Sequence, residues 1–424
     1  MVHPAIHIIG IGADGPAGLR REQIEHIAAA DFLAGGERHL RYFPAARGER
    51  FVIKDNLPEL LDQLWKRFLT QRCVVLASGD PLFYGIGTSL VSMLGPSKVR
   101  IEPALSAMQL AFARAGVTWQ DAALSSIHGR DLRATLLPLL GRRRIGLFTL
   151  DGESPAAVAR FFLRYGLNDY EATVGENLGS PEERVTHWPN LSELASQRFA
   201  ALNYLVLQRT RSPLPVAELE HYRSLVPGIP DTAFARPEEA PEMLTRQEVR
   251  AVLLAKLASP AKPGDVFWDI GAGLGSVSIE VAVLRPQLEV VAVEADPKRV
   301  AFIQQNRERF DAYNVRVVEG TAPAALAEEK HLPRYIFIGG SGDHLSGILD
   351  LAQKKLLAQG QLLATFVTLE HLTEAVQRLR GWHWPFSVTE LHVARSDALG
   401  RCTGLKPQRG VFIVDAEKPE SVVA

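Results

Sequence analysis

The stretch Val266–Ile279, VFWDIGAGLGSVSI, most constrains what this chain can fold into. An apolar run enriched in strand-forming residues carries Asp269 near its end. Gly271, Gly273 and Gly275 follow as Gly-x-Gly-x-Gly, and a helix-like apolar pattern comes next. Glycines at that point remove side chains where a backbone must come close to a ligand. A second acid, Glu294, ends the next apolar strand, one βαβ step further on, where a ribose-binding carboxylate would sit.

Three readings of this loop compete. A dinucleotide fingerprint wants glycine where Ser276 stands, and a pyrophosphate wants positive surroundings, whereas Asp269 puts a carboxylate beside the loop. An acid there suits a cationic or amine-bearing ligand, and the sulfonium and amino group of S-adenosylmethionine fit that description. A nucleotide binder and a plain tight turn stay open as alternatives.

A length of 424 residues predicts two or three domains. Lys plus Arg number 47 and Asp plus Glu 48, so no global positive field recruits nucleic acid, and none is expected as a partner. Cys73 and Cys402 lie far apart, with no disulfide framework and no metal-ligand spacing; idle thiols in a reducing compartment are expected. The N-terminal stretch lacks a basic region and a long enough apolar run for a signal peptide. No apolar stretch approaches the roughly 20 residues that span a bilayer, so no membrane partner and a cytoplasmic location are expected.

Taken in order, strands are expected at Ile6–Ile11, Val74–Ser78, Val99–Glu102, Ala123–Ile127, Ile145–Leu150 and Tyr204–Leu207, with helical spacing at Arg21–Ala30 and Ser106–Ala115. Ser154 and Pro155 suit the start of another helix. Gly79-Asp80-Pro81 reads as a stiff loop after a strand, a good ligand platform. Six prolines between Ser212 and Pro241 mark an extended linker or a lid. The expected division is a domain over 1–211, a linker over 212–240 and a second domain over 241–424.

In the second half, Thr245 and Glu248 have capping-box spacing ahead of an apolar helix. Strands are expected at Val266–Ile270, Val290–Glu294, Val315–Glu319, Tyr335–Ile338, Gln361–Phe366, Ser387–Val393 and Val411–Val414. No helix separates the last two, which predicts an antiparallel pair joined by a loop of about eighteen residues on a parallel sheet. Gly339-Gly340-Ser341-Gly342-Asp343 follows the fourth strand, where small residues let a flat substrate approach. Gly320-Thr321-Ala322-Pro323 sits where an adenine could lie. Arg142-Arg143-Arg144 reads as a solvated turn, Trp382-His383-Trp384-Pro385 as a packed loop, and His128 and His371 as isolated. No metal cluster and no nucleophile turn is legible, so no catalytic residue is assigned.

These stretches carry a resemblance. GIGADGP (Gly10–Pro16), GDPLFYG (Gly79–Gly85), LSAMQLAFARAGVTWQDA (Leu105–Ala122), SIHGRD (Ser126–Asp131), DGESPAAVA and VGENLGSPEER resemble the tetrapyrrole methylase family. LTRQEVRA, WDIGAGLGSVSIE, AVEADP, EGTAPAAL and FIGGSG resemble the small Rossmann-like methyltransferases of corrin synthesis. In this order the two resemble the fused precorrin-6B (precorrin-6Y) C5,15-methyltransferase family of cobalamin biosynthesis. The resemblance implies an α/β fold: a tetrapyrrole-methylase-like domain followed by a seven-stranded Rossmann-like methyltransferase domain. It implies methylation of a precorrin at C5 by the first domain, and at C15, with decarboxylation of the ring C acetate, by the second. It implies two S-adenosylmethionine sites, no metal, a tetrapyrrole partner and a homo-oligomer. Thr245, Asp269, Gly271, Ala272, Gly273, Leu274, Gly275, Glu294 and Ala322 would hold one donor, and Gly79, Asp80 and Pro81 the other, with Gly10 to Pro16 lining that cleft. Where the family's first loop ends in Leu-Thr, this chain has Leu19-Arg20. The substrate's carboxylates call for arginines; Arg246 and Arg250 are the candidates, with Gly340 and Ser341 beside the macrocycle.

Overall fold

The computed structural model describes residues 6–211, 227–238, 244–257, 260–399 and 401–420. They group into two compact units. The first comprises residues up to Gly129, Arg143–Arg160 and Asp169–Arg209; the second comprises Arg130–Arg142, Phe161–Asn168 and the chain from Thr210 on.

The first unit holds two five-stranded sheets. One is wholly parallel: β1 (Ile6–Ile11), β2 (Phe32–Gly35), β3 (Glu49–Val52), β4 (Cys73–Ser78) and β5 (Val99–Glu102), in the order β3-β2-β4-β1-β5. Ile6, Ile8, Val75 and Ala77 pack on one face, and Ile9, Ile11, Val74 and Leu76 on the other. Burial on both faces is why these strands read as unbroken apolar runs. The second sheet is mixed: β6 (Ala123–Ser126), β7 (Arg144–Phe148), β8 (Tyr170–Glu176), β9 (Arg184–Trp188) and β10 (Asn203–Arg209), in the order β6-β7-β10-β8-β9. β2, β3, β8 and β9 were not among the expected strands. β2 ends in Ala-Gly, and β3 and β9 show charged residues to solvent, so their apolar signal is weak. The helix Ser154–Arg164 forms as expected, and Asp151 Oδ1 accepts the Glu153 and Ser154 amides at its start, both at 3.0 Å.

The second unit is built on one seven-stranded sheet: β11 (Val266–Ile270), β12 (Glu289–Glu294), β13 (Val315–Glu319), β14 (Tyr335–Ile338), β15 (Gln361–Phe366), β16 (Phe386–Leu391) and β19 (Val411–Glu417). Their order is β13-β12-β11-β14-β15-β19-β16, and β19 runs antiparallel to both neighbours. Consecutive residues of β11 alternate between two cores: Phe267 on one, Trp268 and Ile270 on the other. Order reverses at β11, between β12 and β14, so a crevice opens outside its carboxyl end.

Three expectations differ from the structure. The connection between β16 and β19 is a hairpin, β17 (Ala394–Leu399) and β18 (Cys402–Pro407), rather than a loop. The helix near Thr245 starts at Gln247 with no side-chain cap, because Glu248 turns outward to Arg395. Residues 212–226 and 239–240 of the expected linker lie outside the described residues, but Ile229, Ala233 and Phe234 are buried in the core of the second unit.

Candidate functional site

The crevice of the second unit is a cleft of about 1030 Å³. Thr245, Arg246, Gly271, Ala272, Gly273, Gly340 and Ser341 line it, which brings together residues from three separate stretches of sequence. Gly271, Gly273 and Gly275 all have positive φ, at 72°, 60° and 79°, so each needs glycine. A Cβ on Gly271 would meet the Gly340 carbonyl oxygen at 2.2 Å. Main chain therefore packs directly on main chain between the loops after β11 and β14. The Ile270 carbonyl holds the second loop, accepting the Gly339 and Gly340 amides at 2.9 and 3.3 Å.

Glu294 is buried and turned into the glycine loop. It accepts the Gly273 amide at 2.8 Å and the Ala295 and Asp296 amides at 3.0 Å each. Arg299 stands at the cleft wall, 3.8 Å from Glu294 and 3.6 Å from Asp296. Asp269 sits lower than the sequence reading placed it. It is fully buried and accepts the Ser278 amide at 3.0 Å and the Ser278 hydroxyl at 2.5 Å, while its Oδ1 has no hydrogen-bond partner. Burial pushes its carboxyl up to about 7, against the opposing pull of the Ser278 hydrogen bonds. It is a floor to the loop rather than a lining group. Leu274, Gly275 and Ala322 are likewise outside the lining: Leu274 and Ala322 are buried, and Gly275 packs on Ile303.

Arg250, expected to meet substrate, is fully buried. Its guanidinium donates to Glu280 and Asp231 at 2.8 Å each and to the Thr245 and Ile229 carbonyl oxygens, and it lies 4.8 Å over the Phe234 ring. Its donors are used inside the protein, on Glu280, Asp231 and two carbonyl oxygens, so it fixes Thr245 at the cleft edge and is not placed to meet a substrate's carboxylates. The basic groups that do line the cleft include Arg246, Arg299, Arg395, Lys406 and Arg409, three of them on or just after the hairpin. Arg395 is committed to Glu248 and to Asp231, and ties the hairpin down. His371, read from sequence as isolated, also lines the cleft. Sequence reasoning missed the hairpin residues because nothing local shows that β17 and β18 fold back over the sheet; the run Lys406-Pro407-Gln408-Arg409 was the available signal.

In the first unit the loop after β4 is equally constrained. Gly79 has φ 54°, and its carbonyl oxygen accepts the Ala104 amide at 3.1 Å. A Cβ on Gly10 would meet the Gly79 oxygen at 2.0 Å, and one on Gly85 the Pro81 oxygen at 2.6 Å. The Asp80 carboxylate accepts the Leu82 amide at 2.9 Å, closing the turn on itself. Ser78, just before it, lies 3.3 Å from His39 Nε2, and burial pushes that imidazole down to about 4.

Among the described residues no helix is long and apolar enough to cross a membrane. Residues 5–195 match the family model of tetrapyrrole (corrin/porphyrin) methylases, and residues 239–418 match that of the precorrin methyltransferase domain. The chain is 35% identical over 418 residues to the precorrin-6Y C(5,15)-methyltransferase (decarboxylating) of Sinorhizobium sp, covering 96% of this chain and 95% of that protein. Two shorter relatives come from Salmonella typhimurium. A cobalt-precorrin-7 C(5)-methyltransferase is 40% identical over 43% of this chain and 88% of its own length. A cobalt-precorrin-6B C(15)-methyltransferase (decarboxylating) is 34% identical over 46% of this chain and 97% of its own length. Matched from end to end by such a relative, and by two domain models in tandem, the chain belongs to the precorrin-6Y C(5,15)-methyltransferase (decarboxylating) family.

Proposed function

We infer that this chain is an S-adenosylmethionine-dependent C-methyltransferase that adds methyl groups at C5 and C15 of a precorrin and removes the ring C acetate carboxyl as carbon dioxide. The observation that carries this reading is the match over 96% of the chain to a relative named for all three changes. The two units divide the work, C5 in the first and C15 with decarboxylation in the second. Full-length relatives are named for precorrin-6Y and the short ones for cobalt-precorrins, which favours a metal-free macrocycle here. A cytoplasmic homo-oligomer without a metal cofactor completes the proposal.

Each unit would hold its own donor. The second fits one in the cradle of Gly271 and Gly273, where positive φ favours glycine and Glu294 fixes the Gly273 amide. Bound there, the donor supplies an electrophilic methyl group on a sulfonium. Thr245, Ala272, Gly340 and Ser341 line the same cleft, and the small residues among them leave space for a flat ring system. Arg246, Lys406 and Arg409 place positive charge along the cleft where the substrate's carboxylates would dock. In the first unit the Gly79-Asp80-Pro81 turn offers its backbone in the same way. No side chain need form a covalent bond; positioning and exclusion of water are what these residues provide.

Mass spectrometry of the product from full-length protein, a precorrin-6 substrate and methyl-labelled donor tests the reading. Two labelled methyl groups gained and one carbon dioxide lost is the expected result. A product carrying a single labelled methyl at completion, or one that keeps every carboxyl, would overturn it.

A further inference from the structure

In the first unit, the residues after Gly79-Asp80-Pro81 are built unlike an ordinary surface turn. Leu82 and Tyr84 are 50% and 43% exposed, and Leu105, whose backbone abuts Gly79, is exposed as well. Phe83, Tyr84, Phe148 and Tyr204 form one connected set of rings. Centroids lie 5.0 Å apart for Phe83–Tyr84, 5.4 Å for Phe83–Phe148, 5.6 Å for Tyr84–Phe148 and 5.4 Å for Phe148–Tyr204. Phe83, Phe148 and Tyr204 are half-buried against the core around Met108 and Phe112, while Tyr84 stands at the solvent edge.

The backbone of Tyr84 is in the left-handed region, with φ 55°. A bulky side chain adopts that conformation only where the surroundings impose it. Here they do. The Tyr84 hydroxyl donates to the Leu124 carbonyl oxygen at 2.9 Å, and Gly85 and Gly87 are wedged against Pro81 on the other side. Folding alone does not call for this arrangement: glycine at position 84 would relieve the backbone, and a polar side chain would avoid the exposed ring. Arg38, exposed on the segment after β2, has its Nη2 3.4 Å from His39 Nε2, which in turn lies 3.3 Å from the Ser78 hydroxyl just before the Gly79-Asp80-Pro81 loop. A partly exposed tyrosine ring, exposed leucines and a nearby guanidinium, all beside a ligand loop, suit a flat apolar molecule with carboxylates on its rim.

We propose that Tyr84, backed by Phe83, Phe148 and Tyr204, is the stacking platform on which the first unit holds the tetrapyrrole macrocycle, with Arg38 pairing a peripheral carboxylate. The proposal rests on the C5,15-methyltransferase reading and locates its C5 substrate. The rigid turn keeps the ring at a fixed distance from the Gly79-Asp80-Pro81 loop.

Two variants of the full-length protein test this. Tyr84→Gly removes the ring and relieves the backbone; Tyr84→Phe keeps the ring and removes only the hydroxyl. The substrate concentration for half-maximal C5 methylation should rise roughly five- to tenfold in Tyr84→Gly, the scale of one lost stacking contact, and stay within about twofold in Tyr84→Phe. Singly methylated, decarboxylated product should accumulate in Tyr84→Gly, with C15 methylation and decarboxylation at wild-type rates as the control for folding. Unchanged C5 kinetics in Tyr84→Gly, or an equal rise in both variants, would overturn the platform. A wild-type chain that adds no methyl at C5 would overturn the functional reading instead.

Discussion

Asp269 shows how much one buried carboxyl can do beneath a ligand loop. Folding takes it fully out of water, and burial raises it from the ordinary carboxylate range to about 7. The folded state therefore holds its proton more tightly than the unfolded chain. The stability this contributes is complete below about pH 4, falls as pH rises toward about 7 and is gone above that. Asp269→Asn is neutral at every pH and keeps an acceptor for Ser278. Relative to wild type, the variant should gain stability on the order of 2 kcal/mol between about pH 5 and about pH 8, read as a widening difference in melting temperature. A difference that stays flat across that range would mean that Asp269 is already ionised at the lower pH. Arg250 makes the companion point. Its sequence position beside Thr245 and Arg246 gave it a plausible substrate role, and only its burial among Glu280, Asp231 and two carbonyl oxygens shows otherwise.

At the scale of elements, the hairpin β17–β18 supplies part of the cleft lining beside the loops after β11 and β14. It pairs only with itself, so its position depends on side chains. Arg395 provides that hold, donating to both Glu248 oxygens at 3.0 and 2.6 Å and to Asp231 at 2.8 Å. Those contacts draw the Glu248 carboxyl below its usual range. Because Arg395 and Glu248 are each more than a third exposed, the pair adds little to global stability, under about 1 kcal/mol. Arg395→Ala should therefore leave the melting temperature nearly unchanged, yet speed hydrogen exchange across 394–407 and slow C15 methylation several-fold. Unaltered exchange in the hairpin would show that something other than Arg395 anchors it. The sequence showed β16 and β19 as apolar runs but read the intervening residues as loop. β18 is mostly exposed and carries Gly404 and Pro407, so it has no buried face to give a period-two signal.

At the scale of the whole molecule, part of the proline-rich stretch belongs to the core of the second unit. Ile229, Ala233 and Phe234 belong to the second core, and Asp231 holds both Arg250 and Arg395. In the full-length chain, Asp231→Ala removes one carboxylate from Arg250 and one from Arg395, leaves Arg250 with Glu280, and should cost about 2 kcal/mol. An unchanged melting temperature would place Asp231 outside the folded core of the second unit.

The two α/β halves, the positions of most strands along the chain and the glycine turns after β4 and β11 were legible by themselves. Each rests on local chemistry: apolar runs long enough to be buried on both faces, and glycines where φ must be positive. The family resemblance was carried by those same short stretches. Tertiary structure decided which charges face the cleft, where Glu248 turns, which hairpin residues line the cleft and why burial raises the Asp269 carboxyl. Each of these depends on partners many residues away, such as Arg250 with Glu280 or Arg395 with Asp231, and on the loss of water around them. Charge and burial are set by what surrounds a residue in space, and its neighbours in the chain are only a small part of that.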